Sequence, residues 1–404
     1  MTLERFVADL LGHHQHRDVH HEENDQLAPL LDGCREFFIE ARNDYFLIVA
    51  VEESEFDVEK EVDLKYLSNL AGFYNARYLY ELVKFESIRF PVGTFAKFFK
   101  PVTFGHKDYA VFAIQLPRPI LPKDYQMNGH DLPHFLQYSK NRKLELTLNQ
   151  AFNIAEKLCT LHEACLPEKR KKEAREIIEE NYQLISELTS ERLQTKVNDY
   201  LEIILEKNGQ FFKNTDKTFE RFSALFKTFK ELQEIYPESN LPLVLCHGNL
   251  TAQNLVFGTK DEVIFIDHWE NIHFGSVVED LSYLIITSLS PHLRRNNYMK
   301  IFRRYYYTLI DTRSIKFKLH EIKDFYLRFL KYAVFYSLPT LTAILESQKY
   351  SDEEKFRAVT RWEATVDDAF DVETGDYLSD NEDLLTAQNS ENRSVTEAVL
   401  RTRH

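Results

Sequence analysis

The chain has 404 residues, of which 44% are apolar and 28% charged, with a net charge of −14. That length and apolar share exclude a mainly disordered chain and supply core enough for a large domain or two lobes. Only 11 residues are Gly, which argues against glycine-rich phosphate loops, and the acidic balance gives no field that would draw in nucleic acid or an anionic membrane. The longest clean apolar run, Phe46–Val51, falls far short of a membrane span. The start of the chain lacks the basic-then-apolar order of a signal peptide. Cys34, Cys159, Cys165 and Cys246 show no C-x-x-C spacing, so the expectation is reduced thiols in a cytoplasmic protein.

Residues 1–30 are polar and carry His13, His14, His16, His20 and His21. They lack the fixed partner pattern of a helical metal site with a carboxylate, so they read as a solvated, partly ordered N-terminus. The runs Arg35–Arg42 and Asp44–Val51, aromatic and β-branched, predict a β-hairpin turning at Asn43. Asp63–Lys84 has helical spacing, and Phe95–Phe104 and Tyr109–Leu116 predict two further strands. Pro117–Pro122 breaks the pattern as a hinge. Residues 31–116 thus predict a small α+β lobe, and residues 117–368 a larger helical one. In the latter, Leu146–Tyr236 is almost wholly helical in pattern, the basic run after Pro167 reads as a solvated helix face, and Pro339 should break an aromatic helix. Val366–Leu384 holds eight acidic residues and no basic ones. Residues 369–404 therefore predict an acidic disordered tail, a surface for a protein partner.

The informative segment is Leu243–Leu281. A strand delivers His247-Gly248-Asn249 into a loop, Asn254 follows five residues later, and a second strand ends at Ile266-Asp267. This resembles the H-G-D-x-x-x-x-N … I-D core of small-molecule kinases. With Trp269, His273, Gly275, Leu289, Arg294, Arg295, Tyr305 and Tyr306 downstream, it is similar to the CHK kinase-like family of invertebrates, related to choline/ethanolamine, ecdysteroid and aminoglycoside kinases. The likeness runs over roughly Leu146–Leu345. It implies a bilobal protein-kinase-like α+β fold, with a β-rich N-lobe and a helical C-lobe. It also implies transfer of phosphate from ATP to an alcohol on a small molecule, with Asn254 and Asp267 holding Mg²⁺ through oxygen and His247 and Gly248 shaping the loop.

Asn249 stands where the family has the Asp that orients and deprotonates the substrate hydroxyl. Its amide oxygen accepts a hydrogen bond but takes no proton near neutral pH. Losing a general base costs about 10²–10⁴ in rate. Counting back from Trp269 puts His268, not Asp267, at the metal position, and a one-residue slip in a strand reverses the side chain, so the two alternatives stand side by side. A His there would suit Mg²⁺ poorly. The strand that should carry the phosphate-binding Lys has Ala50 and Val51 in its place, and the helix position of its partner Glu is Ala76, with Glu81 nearby. Lys60, Lys65 or Lys97 would have to substitute, and Gln115 stands where the family often has Glu. No glycine-rich loop is evident, so no residue is assigned to the nucleotide.

Adjacent strand residues face opposite ways, which excludes Cys246-His247 as a nucleophilic dyad. Asp280 should anchor the loop or cap a helix whose first turn is Leu281–Leu284. The aromatic wealth of Tyr305–Tyr336 reads as core packing, with an aromatic cage as the alternative. Three functions follow: a pseudokinase that binds a small molecule or partner without turnover, an atypical active small-molecule kinase using Mg²⁺ and ATP, or an interaction protein acting through its tail.

Overall fold

A computed structural model describes residues 2–10, 34–41, 44–53, 79, 94–115, 143–165, 176, 179, 201–226, 232–266, 268–312, 317–348 and 350–377. The His13–His21 cluster, the Asp63–Lys84 helix apart from Leu79, the Pro117–Pro122 hinge, Lys60, Lys65, Asp267 and the residues after Tyr377 lie outside them.

Strands β1 (Cys34–Ala41), β2 (Asp44–Glu53), β3 (Thr94–Phe104) and β4 (Lys107–Gln115) form one antiparallel sheet in the order β1-β2-β4-β3. The first pair runs in unbroken register from Cys34 opposite Val51 to Ala41 opposite Asp44, the hairpin the residue pattern predicts. Gly105 and His106, both with positive φ, close the β3–β4 hairpin, as the right-handed twist of such strands requires. Helix α1 (Leu3–Leu10) buries Leu3 and Val7, one turn apart, against Phe46, Ile48, Ala50, Val111 and Ala113, and Phe6 meets Phe104. The chain's first residues, assigned to a solvated terminus on their polarity, therefore complete the core of the sheet. The apolar i, i+4 pair outweighs the polar residues that follow it.

A second core is built by helices α2 (Leu148–Cys165), α3 (Thr215–Phe226), α4 (Glu279–Ser288), α5 (Pro291–Thr312), α6 (Leu319–Tyr336), α7 (Leu338–Glu346) and α8 (Asp352–Thr374). Leu79 packs into it. An antiparallel sheet with its own core beside a larger helical body is the α+β arrangement expected of a bilobal kinase-like chain. Pro339 falls in the first turn of α7, so the aromatic helix α6 ends before it. Tyr305, Tyr326, Phe329 and Tyr332 are buried in this core.

The acidic end of the chain departs from its pattern. Helix α8 starts at a Ser351/Glu354 capping box and runs to Thr374, where Gly375 in the left-handed region stops it. Residues 369–374, assigned to the tail on charge, thus belong to a packed helix. Ala358, Val359, Trp362, Val366 and Ala369 form its buried stripe, a helical period hidden by the acidic residues between them. The charge is itself used. Asp368, buried, takes Arg294 Nη2 at 2.5 Å and Arg295 Nη2 at 2.7 Å, fastening α5 to α8.

Candidate functional site

Two short ladders frame the loop. Strand β5 (Leu243–Cys246) pairs antiparallel with β8 (His273–Ser276), and β6 (Leu255–Phe257) with β7 (Val263–Ile266). β5 and β7 are the two strands the sequence predicts. β6 is only three residues long, and β8 (His273–Ser276) carries Gly275 and no β-branched residue, so neither shows a strand signal.

From β5 the chain enters His247-Gly248-Asn249. Asp280 grips this turn from α4: its carboxylate accepts the His247 N–H at 2.6 Å and the Gly248 N–H at 3.0 Å. It anchors the loop rather than capping a helix, for α4 begins at Glu279, two residues before the expected start. Gly248 has φ +80°, and a Cβ there would lie 2.1 Å from the Asn271 carbonyl oxygen, so only glycine fits. The fully buried His247 ring tilts against Trp269 with centroids 4.6 Å apart, and its Nδ1 accepts the Asn249 N–H at 3.2 Å. His247 thus shapes the loop from inside. After it, the Ala252 N–H donates to Ser288 Oγ and a turn over Ala252–Asn254 brings Asn254 back, its Nδ2 donating to the Asn249 carbonyl at 2.8 Å.

Asn249 and Asn254 therefore meet through backbone and amide, and among the described residues the buried Asn249 Oδ1 has no hydrogen-bond partner. Asp267 lies outside the described residues. Its neighbour His268 takes a left-handed conformation, φ +59°, at the entrance to the turn Trp269–Asn271. Among the described residues the loop offers a cation the neutral amide oxygens of Asn249 and Asn254, while Asp280, its carboxylate, is spent on two backbone N–H groups. A hard dication carrying a triphosphate needs anionic oxygen, so the described donor set does not by itself fit Mg²⁺.

On the sheet, Ala50 and Val51 stand about where the family resemblance places the phosphate-binding lysine, and Ala50 is fully buried in the core of β2, opposite Arg35 and Val111. Val51 follows it on the same strand, and Gln115 ends β4 opposite Phe46 and Thr94. Lys107 pairs with Glu52 at 2.7 Å.

Behind the loop lies a cluster that sequence reading left without a role. Cys246 and His273 are cross-strand partners, and His273 Nε2 stands 2.8 Å from Glu279 Oε1. The Tyr236 hydroxyl donates to Glu279 Oε2 and accepts the Ser276 N–H. Burial pushes the Cys246 thiol well up, helped by the Glu279 and Asp280 carboxylates, so it is no nucleophile. Burial lowers His273, but the Glu279 carboxylate more than offsets this and holds it above its usual range. Asp280 is pushed up to about 7 by burial and by Glu279, against the two amides that favour its charge. His273 and Gly275 were visible in the sequence, but Tyr236 lies far off in the chain, and Glu279, though close by, sits across the break between β8 and α4, where no strand or helix period joins it to them.

Residues 134–316 match the model of the Ecdysteroid kinase-like family, which supports the resemblance to CHK kinase-like proteins over that segment. A curated relative, "Uncharacterized oxidoreductase dhs-27" of Caenorhabditis elegans, is 22% identical over 175 residues, 40% of this chain and 21% of that protein. The chain thus matches about a fifth of that relative's length. Among solved structures, spectinomycin phosphotransferase in complex with ADP and spectinomycin is 13% identical, with 91% of this chain and 98% of that one covered at a TM-score of 0.47. The microcompartment-associated aminopropanol kinase is 11% identical, covering 93% and 99%, also at 0.47. An ethanolamine kinase of Plasmodium vivax is 13% identical, covering 90% and 95% at 0.39.

Proposed function

We propose that the chain is a divergent member of the ecdysteroid kinase-like group that has lost efficient phosphoryl transfer, a pseudokinase able to hold a small hydroxylated molecule. The observation that carries this reading is Asn249 Oδ1, a buried acceptor without a partner among the described residues, at the position where the family resemblance puts the catalytic base. Leaving such an atom unpaired costs about 1–3 kcal/mol, which a ligand hydroxyl would recover by donating to it once the loop opens to expose it. The amide accepts that hydrogen bond and goes no further, since it cannot take the proton. Ala50 in the middle strand supports the same reading from the other lobe, where a lysine on the phosphates would be needed.

The test is acceptor-dependent ADP release from MgATP, offering choline, ethanolamine and an ecdysteroid, with wild type beside Asn249→Asp. Wild type is expected to release no more ADP with acceptor than without it. The substitution alone should not restore turnover, because it returns the base but no lysine. Acceptor-dependent release by the wild type would overturn the proposal.

A further inference from the structure

The cluster behind the loop carries a second inference, independent of the first. We propose that Cys246, His273 and Glu279, with the Tyr236 hydroxyl beside them, form a closed structural site for one transition-metal ion of the zinc class.

The three ligand atoms lie within 4.8 Å of one another and all three side chains are buried. They come from three elements, β5, β8 and the first residue of α4, so the convergence is made by the tertiary fold. The Cys sulfur, imidazole nitrogen and carboxylate oxygen are the donor types that zinc takes in a tetrahedral site, and sulfur with nitrogen disfavours Mg²⁺ and Ca²⁺. Tyr236, whose hydroxyl donates to Glu279, would orient that carboxylate from behind. His273 is set as a ligand would be. Its Nδ1 lies 2.9 Å from the Asn271 carbonyl, which fixes Nδ1 as the donor and turns Nε2 into the cluster. Gly275 clears the space, since a Cβ there would stand 2.1 Å from Glu279 Oε2 and 2.9 Å from His273 Nε2.

A dication held by a thiolate, a neutral imidazole and a carboxylate leaves no net charge in the cluster, which suits a buried site. Because Cys246 precedes His247 and Glu279 precedes Asp280, the ion would clamp both supports of the loop from behind.

The test uses the full chain, produced without a histidine tag in zinc-supplemented medium and purified without chelator. Elemental analysis should find about one zinc per chain, and protein grown on cobalt should show thiolate-to-cobalt charge-transfer absorption. Cys246→Ser should lose that band and most of the metal while staying folded by circular dichroism. The histidines near the N-terminus cannot produce the band, which separates the two locations. Should Cys246→Ser fail to fold, zinc-edge absorption on the wild type decides. One sulfur with nitrogen and oxygen neighbours supports the site, and a shell without sulfur overturns it. Folded wild type with far less than one metal per chain, or metal content unchanged in Cys246→Ser, would also overturn it and leave a buried His273–Glu279 ion pair.

Discussion

Gly248 and His162 show how much of the site's support rests on single atoms. A methyl group at residue 248 meets the Asn271 carbonyl at 2.1 Å in a backbone conformation that L-residues avoid. Gly248→Ala is therefore expected to cost at least about 2 kcal/mol in urea unfolding. It should also release the two N–H groups from Asp280, read as faster amide exchange at His247 and residue 248. His162 acts more remotely. Its Nδ1 lies 2.6 Å from the Tyr305 hydroxyl, which donates to the Val277 carbonyl just before α4. Burial lowers its pKa to about 3, so the folded chain keeps it neutral. The unfolded chain protonates it near 6.5. Below that pH the unfolded state binds more protons, so stability falls as pH drops, by about 1.4 kcal/mol per unit, until the folded pKa is reached. His162→Gln should lose about 2 kcal/mol less than wild type between about pH 6.5 and 5, measured by urea unfolding at each pH. Equal losses in the two proteins would refute this role.

At the scale of elements, the Asp368 clasp between α5 and α8 separates buried from exposed charge. Asp368→Asn keeps the shape but leaves Arg294, almost wholly buried, without its counter-charge. An unfolding cost of about 3–5 kcal/mol is expected. Arg357→Ala, which breaks an exposed pair with Glu353 on the same helix, should cost less than about 1 kcal/mol. Comparable losses would mean that the clasp contributes no more than surface charge does. This clasp also shows where sequence reading stops. Asp368 stands there as the last residue of the helical lobe in an acidic run, because composition records charge and not the partner that pays for its burial. The hairpin of β1 and β2 was legible because alternation and a tight turn are both local. Strands β6 and β8 were not, being held by pairing across the loop. Helix α1 was missed because four apolar residues were averaged with the histidine-rich run that follows.

For the molecule as a whole, the catalytic segment was the most legible part of the site. The residues from His247 to Asn254 carry their pattern in order, and in the fold the Asn254 amide donates to the Asn249 carbonyl. The support behind them was not legible, since Tyr236, Cys246, His273 and Glu279 meet only through three-dimensional packing. The two cores bear on phosphoryl transfer separately. On the proposed reading the helical body presents the Asn249 amide where the family resemblance puts a carboxylate base, and the sheet carries Ala50 and Val51 about where it puts the phosphate-binding lysine. The central claim is that the machinery is dismantled on both sides. Equilibrium titration of the full chain with MgATP by calorimetry, with an EDTA control, tests this most directly. The account predicts no saturable, metal-dependent heat up to millimolar nucleotide. Saturable binding that EDTA abolishes would contradict it, and would mean that another lysine serves the phosphates.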